Sequence, residues 1–145
     1  MLQTKTVDPA TLELIKSLQS KDYLKGFNLA GGTALALYSG HRRSIDIDLF
    51  SNFSFDSAQL TELIQQDFTL QLYQTATNTI KGSIENISVD IIAHRYPYLN
   101  EPAEIDGIRI LSEPDLLAMK LNAISSSGQR SKDFVDIYFV LEEKR

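Results

Sequence analysis

The sequence predicts an α/β chain of the α+β kind, with a mixed, mostly antiparallel sheet packed on helices. Apolar residues recur at helical spacing after Pro9, after Ser54 and after Ser112. Short runs of period two lie around Ile47 and between Leu70 and Ala93. Gly, Pro, Asn and Ser punctuate the chain between these segments, with no repeat, low-complexity tract or long linker.

Taken in order, Asp8-Pro9 reads as an N-cap with proline at the first helical position, followed by Leu12, Ile15 and Leu18 on one face, with an end near Ser20. Phe27 to Ala30 is a short apolar strand. Gly31-Gly32 then frees the backbone before a helix over Thr33 to Ser39, stopped by Gly40. From Ser44 to Phe50 the residues alternate, so that Ile45, Ile47 and Leu49 face one way and Asp46 and Asp48 the other. Ser54 to Asp67 fits a helix, and Leu70 to Ala93 fits three strands broken near Thr77-Asn78 and Glu85-Asn86. Ile108 to Leu111 is a further short strand. Ser112, Pro114 and Asp115 open a helix in the manner of a capping box, carrying Leu116, Leu117, Lys120, Leu121 and Ile124 before a break at Ser125 to Gly128. Asp133 to Lys144 closes the chain as a helix with Phe134, Ile137, Tyr138 and Leu141 on one face.

Composition narrows the function. With 145 residues and 43% hydrophobic content, one domain over residues 1–145 with one modest core is expected. There is no cysteine, so any metal must be held by oxygen or by the two histidines. Met1 to Pro9 lacks the basic region and apolar core of a signal peptide, and no apolar run approaches the roughly 18 residues of a membrane span. A cytoplasmic protein with no membrane partner is therefore expected. Lys plus Arg number 14 against 19 Asp plus Glu, a net charge of -5, so bulk charge does not draw the chain to nucleic acid. His41-Arg42-Arg43 and Arg130 with Lys132 are the local basic patches, each small enough to be a solvated loop.

Two ionised carboxylates side by side repel, and a shared proton, a cationic neighbour or a divalent metal relieves them. Asp46 and Asp48 offer the oxygen ligands that magnesium prefers, and Asp90, flanked by Val89 and Ile91, can supply a third. The alternative is a half-exposed strand whose polar face meets solvent. Gly31-Gly32 at the mouth of a helix lets a phosphate approach main-chain N–H groups, where the helix dipole favours negative charge. Alone, such a pair reads equally as a tight turn. Together, the turn and the acids would face one crevice.

The pattern Gly-Gly, short helix, Asp-x-Asp and a later lone Asp between apolar residues resembles the polymerase-beta-type nucleotidyltransferase superfamily. Within it, Gly31-Gly32-Thr33-Ala34-Leu35 and His41-Arg42-Arg43-Ser44-Ile45-Asp46-Ile47-Asp48-Leu49-Phe50 are similar to the AbiEii/AbiGii group of abortive-infection toxins. Lys120 and the run Arg130-Ser131-Lys132-Asp133-Phe134-Val135-Asp136 resemble that group's second signature.

The resemblance implies a polymerase-beta-like fold and a magnesium-dependent enzyme that transfers a nucleoside monophosphate from a nucleoside triphosphate to an acceptor, RNA among the candidates. It also implies a toxin with a separately encoded antitoxin or regulator as partner. By position, Asp46, Asp48 and Asp90 match the metal-binding and catalytic acids, the third helping to activate the attacking hydroxyl. Gly31, Gly32 and Thr33 match the triphosphate turn, Arg42 and Ser44 fit the following loop, and Lys120, Lys132 and Asp133 match nucleotide contacts. Phosphoryl-type transfer needs positioning and charge neutralisation more than a protein nucleophile, which suits this residue set. Lys120 sits among apolar neighbours with little polar face, whereas Lys132 and Asp136 have helical spacing that also suits a surface pair. His41 and His94 are read as structural or peripheral. Two other readings stay open: a degenerate nucleotide-binding module acting through a partner, and a minimal nucleotidyltransferase antitoxin that modifies its toxin.

Overall fold

The computed structural model describes residues 2–40 and 45–127. Its elements are α1 (Pro9–Gln19), β1 (Asn28–Ala30), α2 (Gly31–Ser39), β2 (Ile47–Ser51), α3 (Ser57–Asp67), β3 (Leu70–Ala76), β4 (Thr79–Ile84), β5 (Ile87–Ala93), β6 (Ala103–Ile105), β7 (Ile108–Ile110) and α4 (Glu113–Ser127), with 3-10 turns at Thr4–Thr6 and Asp22–Leu24. The strands form one seven-stranded sheet in the order β3-β4-β5-β2-β1-β7-β6. Pairs β3–β4, β4–β5, β1–β2 and β6–β7 are antiparallel, while β2–β5 and β1–β7 are parallel. The expected mixed, mostly antiparallel sheet is present.

Local chemistry explains the tight turns. Glu85 and Asn86, at φ 53 and 65, and Asp106 and Gly107, at φ 54 and 81, adopt the left-handed conformation that two-residue hairpins require. Asp56 caps α3, its Oδ1 accepting from the Gln59 N–H at 3.1 Å. Ser112 and Asp115 close the start of α4 on each other. The Ser112 hydroxyl donates to Asp115 Oδ2 at 2.7 Å, and the Asp115 N–H donates to Ser112 Oγ at 3.2 Å.

The core lies where α1, α2 and α3 cover the sheet and α4 packs on α2, and it includes Leu18, Leu29, Leu35, Leu37, Ile47, Leu49, Ile64, Val89, Ile91, Ile110 and Leu116. Burying these chains is the main source of stability, at about 1.5 to 3 kcal/mol each. Helix α2 is buried from Thr33 to Leu37, so its start is fixed rigidly against β1 and β2. The Tyr38 hydroxyl donates to the Leu111 carbonyl at 2.9 Å and ties α2 to the root of α4. At the other edge, Gln19 bridges the Phe27 and Arg109 carbonyls and accepts from the Arg109 N–H, anchoring α1 to β7.

Four expectations need correction. The strand expected over Ser44 to Phe50 begins at Ile47, because the ladder to β1 ends at the pair Ala30 and Asp48 and the ladder to β5 starts at Ile47 and Val89. Asp46 therefore precedes the strand, and Ile45 is 59% exposed rather than part of the core. The second helix starts at Gly31 itself, and α3 starts at Ser57 because Asp56, not Ser54, is its cap. Helix α4 runs to Ser127 without a break at Ser125. Strand β6 is unexpected, since three residues show no alternation; Asp106-Gly107 is the signal that points to it. Arg42, Ser44, Lys132, Asp133 and the closing helix lie outside the described residues.

Candidate active site

Three elements meet at the end of β1. The chain leaves Ala30, turns at Gly31 with φ +70, and enters α2 at once. Ala30 pairs with Asp48 on β2, and Asp48 pairs in parallel register with Asp90 on β5. Asp90 in turn pairs with Lys81 on β4. Directly paired residues share a face of the sheet, so Asp48, Asp90 and Lys81 form one row across three strands. The flanking Ile47, Leu49, Val89 and Ile91 point into the core and fix that face.

Gly31 closes onto the first acid of the row. A Cβ at this position would overlap Asp48 Oδ2 and lie 2.8 Å from its Cγ. Positive φ and the nearby carboxylate both require glycine here. The amides of the first turn of α2 have no acceptor within the helix, so the turn presents backbone donors next to the acids.

Asp46 is exposed ahead of β2, and its carbonyl accepts the Thr33 hydroxyl from α2. Thr33 is buried, and its side chain holds the loop that carries Asp46. Burial raises the Asp90 carboxyl above its usual 3.8; Lys81 opposes the rise and the charge of Asp46 adds to it. The acids therefore feel one another. Among the described residues no three acids or histidines converge closely enough to cage a metal. The row nevertheless suits magnesium, which takes one or two carboxylates and completes its shell with phosphate and water. Half-buried Asp90, its carboxyl raised by burial and further by the charge of Asp46, is a donor that a cation would stabilise.

A cleft of about 350 Å³ opens beside the turn, lined by Gly31, Leu35, Phe50, His94, Met119 and Lys120 among others. Lys120 of α4 thus lines the same cleft as Gly31. A second cleft of about 300 Å³ adjoins it and shares His94, Met119 and Asn122. The His94 ring stacks on Phe50, with centroids 6.1 Å apart and planes 10° apart, and leans on Tyr96 at 4.9 Å. Burial lowers its pKa below the usual 6.5. Nothing in the sequence marks Phe50 or His94 as cleft residues, and His94, expected to be structural or peripheral, lines both clefts. Lys81 carries a signal, because it and Asp90 are equidistant from the Glu85-Asn86 turn, which places them opposite each other in a hairpin.

The fold defined by this sheet is that of nucleotidyltransferases. Megavirus polyadenylate synthase superposes with a TM-score of 0.59 at 20% identity, over 90% of this chain and 31% of that one. A Thermotoga maritima protein assigned to the nucleotidyltransferases superposes at 0.54 with 16% identity, over 83% of this chain and 90% of that one. The family model described as "Nucleotidyl transferase AbiEii toxin, Type IV TA system" matches residues 14–145, and the chain belongs to that family. An uncharacterized protein of Aquifex aeolicus is 31% identical over 135 residues, and the chain spans 90% of its own length and 65% of that relative.

Proposed function

We propose that this chain is a magnesium-dependent nucleotidyltransferase that moves a nucleoside monophosphate from a nucleoside triphosphate to an acceptor hydroxyl, acting in the cytoplasm as the toxin of a toxin-antitoxin pair. The observation that carries this reading is the contact of the Gly31 turn with Asp48 while Asp90 lies in register beside it. Family membership over residues 14–145 supports it.

In this reading the first-turn amides of Gly31, Gly32 and Thr33 bind the donor's phosphates, and Lys120 neutralises them from across the cleft. Asp46, Asp48 and Asp90 would hold magnesium, which when bound supplies charge neutralisation at the transferring phosphorus. The acceptor hydroxyl oxygen bonds to the α-phosphorus while the bond from that phosphorus to the oxygen bridging to the β-phosphate breaks. Pyrophosphate leaves with that electron pair, and the hydroxyl proton passes to a carboxylate oxygen of Asp90. Arg42, Ser44, Lys132 and Asp133 are proposed as further nucleotide contacts on the strength of the family motifs alone. RNA is the proposed acceptor class, and a cognate antitoxin the proposed protein partner.

The test is incubation of the chain with magnesium, each of the four α-labelled nucleoside triphosphates and total RNA. Labelled RNA with wild type and none with Asp48→Asn is the expected result. Nucleotide binding by calorimetry without any transfer overturns the enzymatic reading in favour of a degenerate binding module. Label moving to a co-expressed partner protein instead of RNA overturns the toxin role in favour of the antitoxin one.

A further inference from the structure

Resting on the reading just proposed, we infer that Lys81 binds the backbone phosphate of the RNA acceptor next to the attacking hydroxyl. The order of residues across the sheet carries this. The Gly31 turn lies at the β1 end of the row, and Asp48, Asp90 and Lys81 follow on β2, β5 and β4. The cleft that Lys120 lines includes Gly31 and extends past Phe50 to His94, and it does not include Lys81. Transfer requires the attacking and leaving oxygens to be roughly in line. With the leaving pyrophosphate held at the Gly31 end, the acceptor enters from beyond Asp90, over β4.

Lys81 is the first side chain it meets there, one strand spacing of about 4.8 Å past Asp90. Gln74 of β3 pairs with Lys81 and continues the row. On this face β3 and β4 offer Gln71, Gln74, Thr79, Lys81 and Ser83, whose hydroxyl meets that of Tyr73 at 2.8 Å, and neither strand contains an acid. In a chain of net charge -5 this is an acid-free strip of amides and hydroxyls with a cation at its inner end. Such groups position a sugar-phosphate backbone, and the flexible lysine stem lets one ammonium follow a phosphate. The strip does not suit a protein acceptor presenting one hydroxyl, or a free nucleoside, because neither brings the adjacent phosphate that Lys81 would meet.

The experiment measures transfer from a labelled triphosphate to a short single-stranded RNA and to a nucleoside, with wild type, Lys81→Ala, Lys81→Glu and Lys81→Arg. The expected result is a KM for RNA raised about tenfold in Lys81→Ala and more in Lys81→Glu, restored in Lys81→Arg, with KM for the triphosphate steady. Removing one cation from the acceptor's phosphates should also flatten the slope of log(kcat/KM) against log salt by about 0.7. A fall in kcat with KM for RNA unchanged overturns the inference, because Lys81 would then only support Asp90. Equal wild-type kcat/KM for nucleoside and RNA also overturns it, as does transfer to protein alone. If wild type transfers nothing, the enzymatic reading fails by itself. Binding of fluorescent RNA then decides on Lys81, and undiminished binding in Lys81→Glu overturns its role.

Discussion

Oδ2 of Asp48 occupies the space where a side chain on Gly31 would begin, and the carboxyl Cγ lies 2.8 Å from the position of that Cβ. The turn that opens α2 and the acid on β2 are built against each other, and neither residue can change without the other responding. Gly31→Ala should therefore destabilise by more than the about 1 to 2 kcal/mol of a left-handed alanine, since the carboxylate must also move. In the double variant Gly31→Ala, Asp48→Ala the extra cost should vanish, giving a coupling energy that thermal unfolding of the four proteins measures. Simple additivity would refute the contact.

Asp90→Asn should abolish transfer, with a loss of at least about 100-fold, while leaving the protein at least as stable at neutral pH and without magnesium. The sign follows from its raised pKa, caused mainly by burial. The folded state holds the proton more tightly than the unfolded one, so that contribution is complete below the usual 3.8 and lost as pH rises through the folded value. Unfolding midpoints of the two proteins should diverge as pH rises through that window. A clear drop in the melting temperature of the variant at pH 7 would mark Asp90 as structural.

His94 should make the fold sensitive to mild acid. Burial depresses its pKa, so the stability it contributes is present above the usual 6.5 and lost as pH falls through the lower folded value. His94→Phe keeps a ring against Phe50 and removes the proton site, so its stability curve should be flatter below pH 6.5 than that of wild type. Parallel curves for the two proteins would show that the imidazole does not titrate in the fold.

Asp115 is 4% exposed and accepts from the Leu99 N–H at 2.8 Å, the Asn100 N–H at 3.2 Å and the Ser112 hydroxyl at 2.7 Å. Asp115→Ala strands these donors and should cost about 2 to 4 kcal/mol, against about 1 kcal/mol for Ser112→Ala, which removes the cap and one of the donors to Asp115 but leaves the Leu99 and Asn100 N–H groups paired. Because α4 carries Lys120, Asp115→Ala should also weaken nucleotide binding. Denaturant unfolding and calorimetric titration with a triphosphate and magnesium read the two effects.

The element order was legible because local signals agreed with the final packing. The residues from Leu70 to Ala93 alternate between turns, and they form β3, β4 and β5 at the expected positions. The gaps arose where tertiary pairing, not propensity, sets the boundary. Asp46 and Ile45 carry the alternation of a strand, yet β1 leaves the sheet at Gly31 and gives them no partner strand. For three-residue β6, the Asp-Gly turn outweighs the strand itself as a signal.

The sequence by itself determined the ingredients: a glycine turn before a helix, two spaced acids, a third between apolar residues, and a lysine on the face of the fourth helix. Those follow from local spacing, which the linear chain contains. Only the tertiary structure decided that Asp48 and Asp90 stand in parallel register, that Asp48 fills the space of a missing Gly31 side chain, and that Lys81 extends the row on the far side. Strand order depends on which surfaces bury together, and β2 pairs with β5 across the intervening α3, β3 and β4.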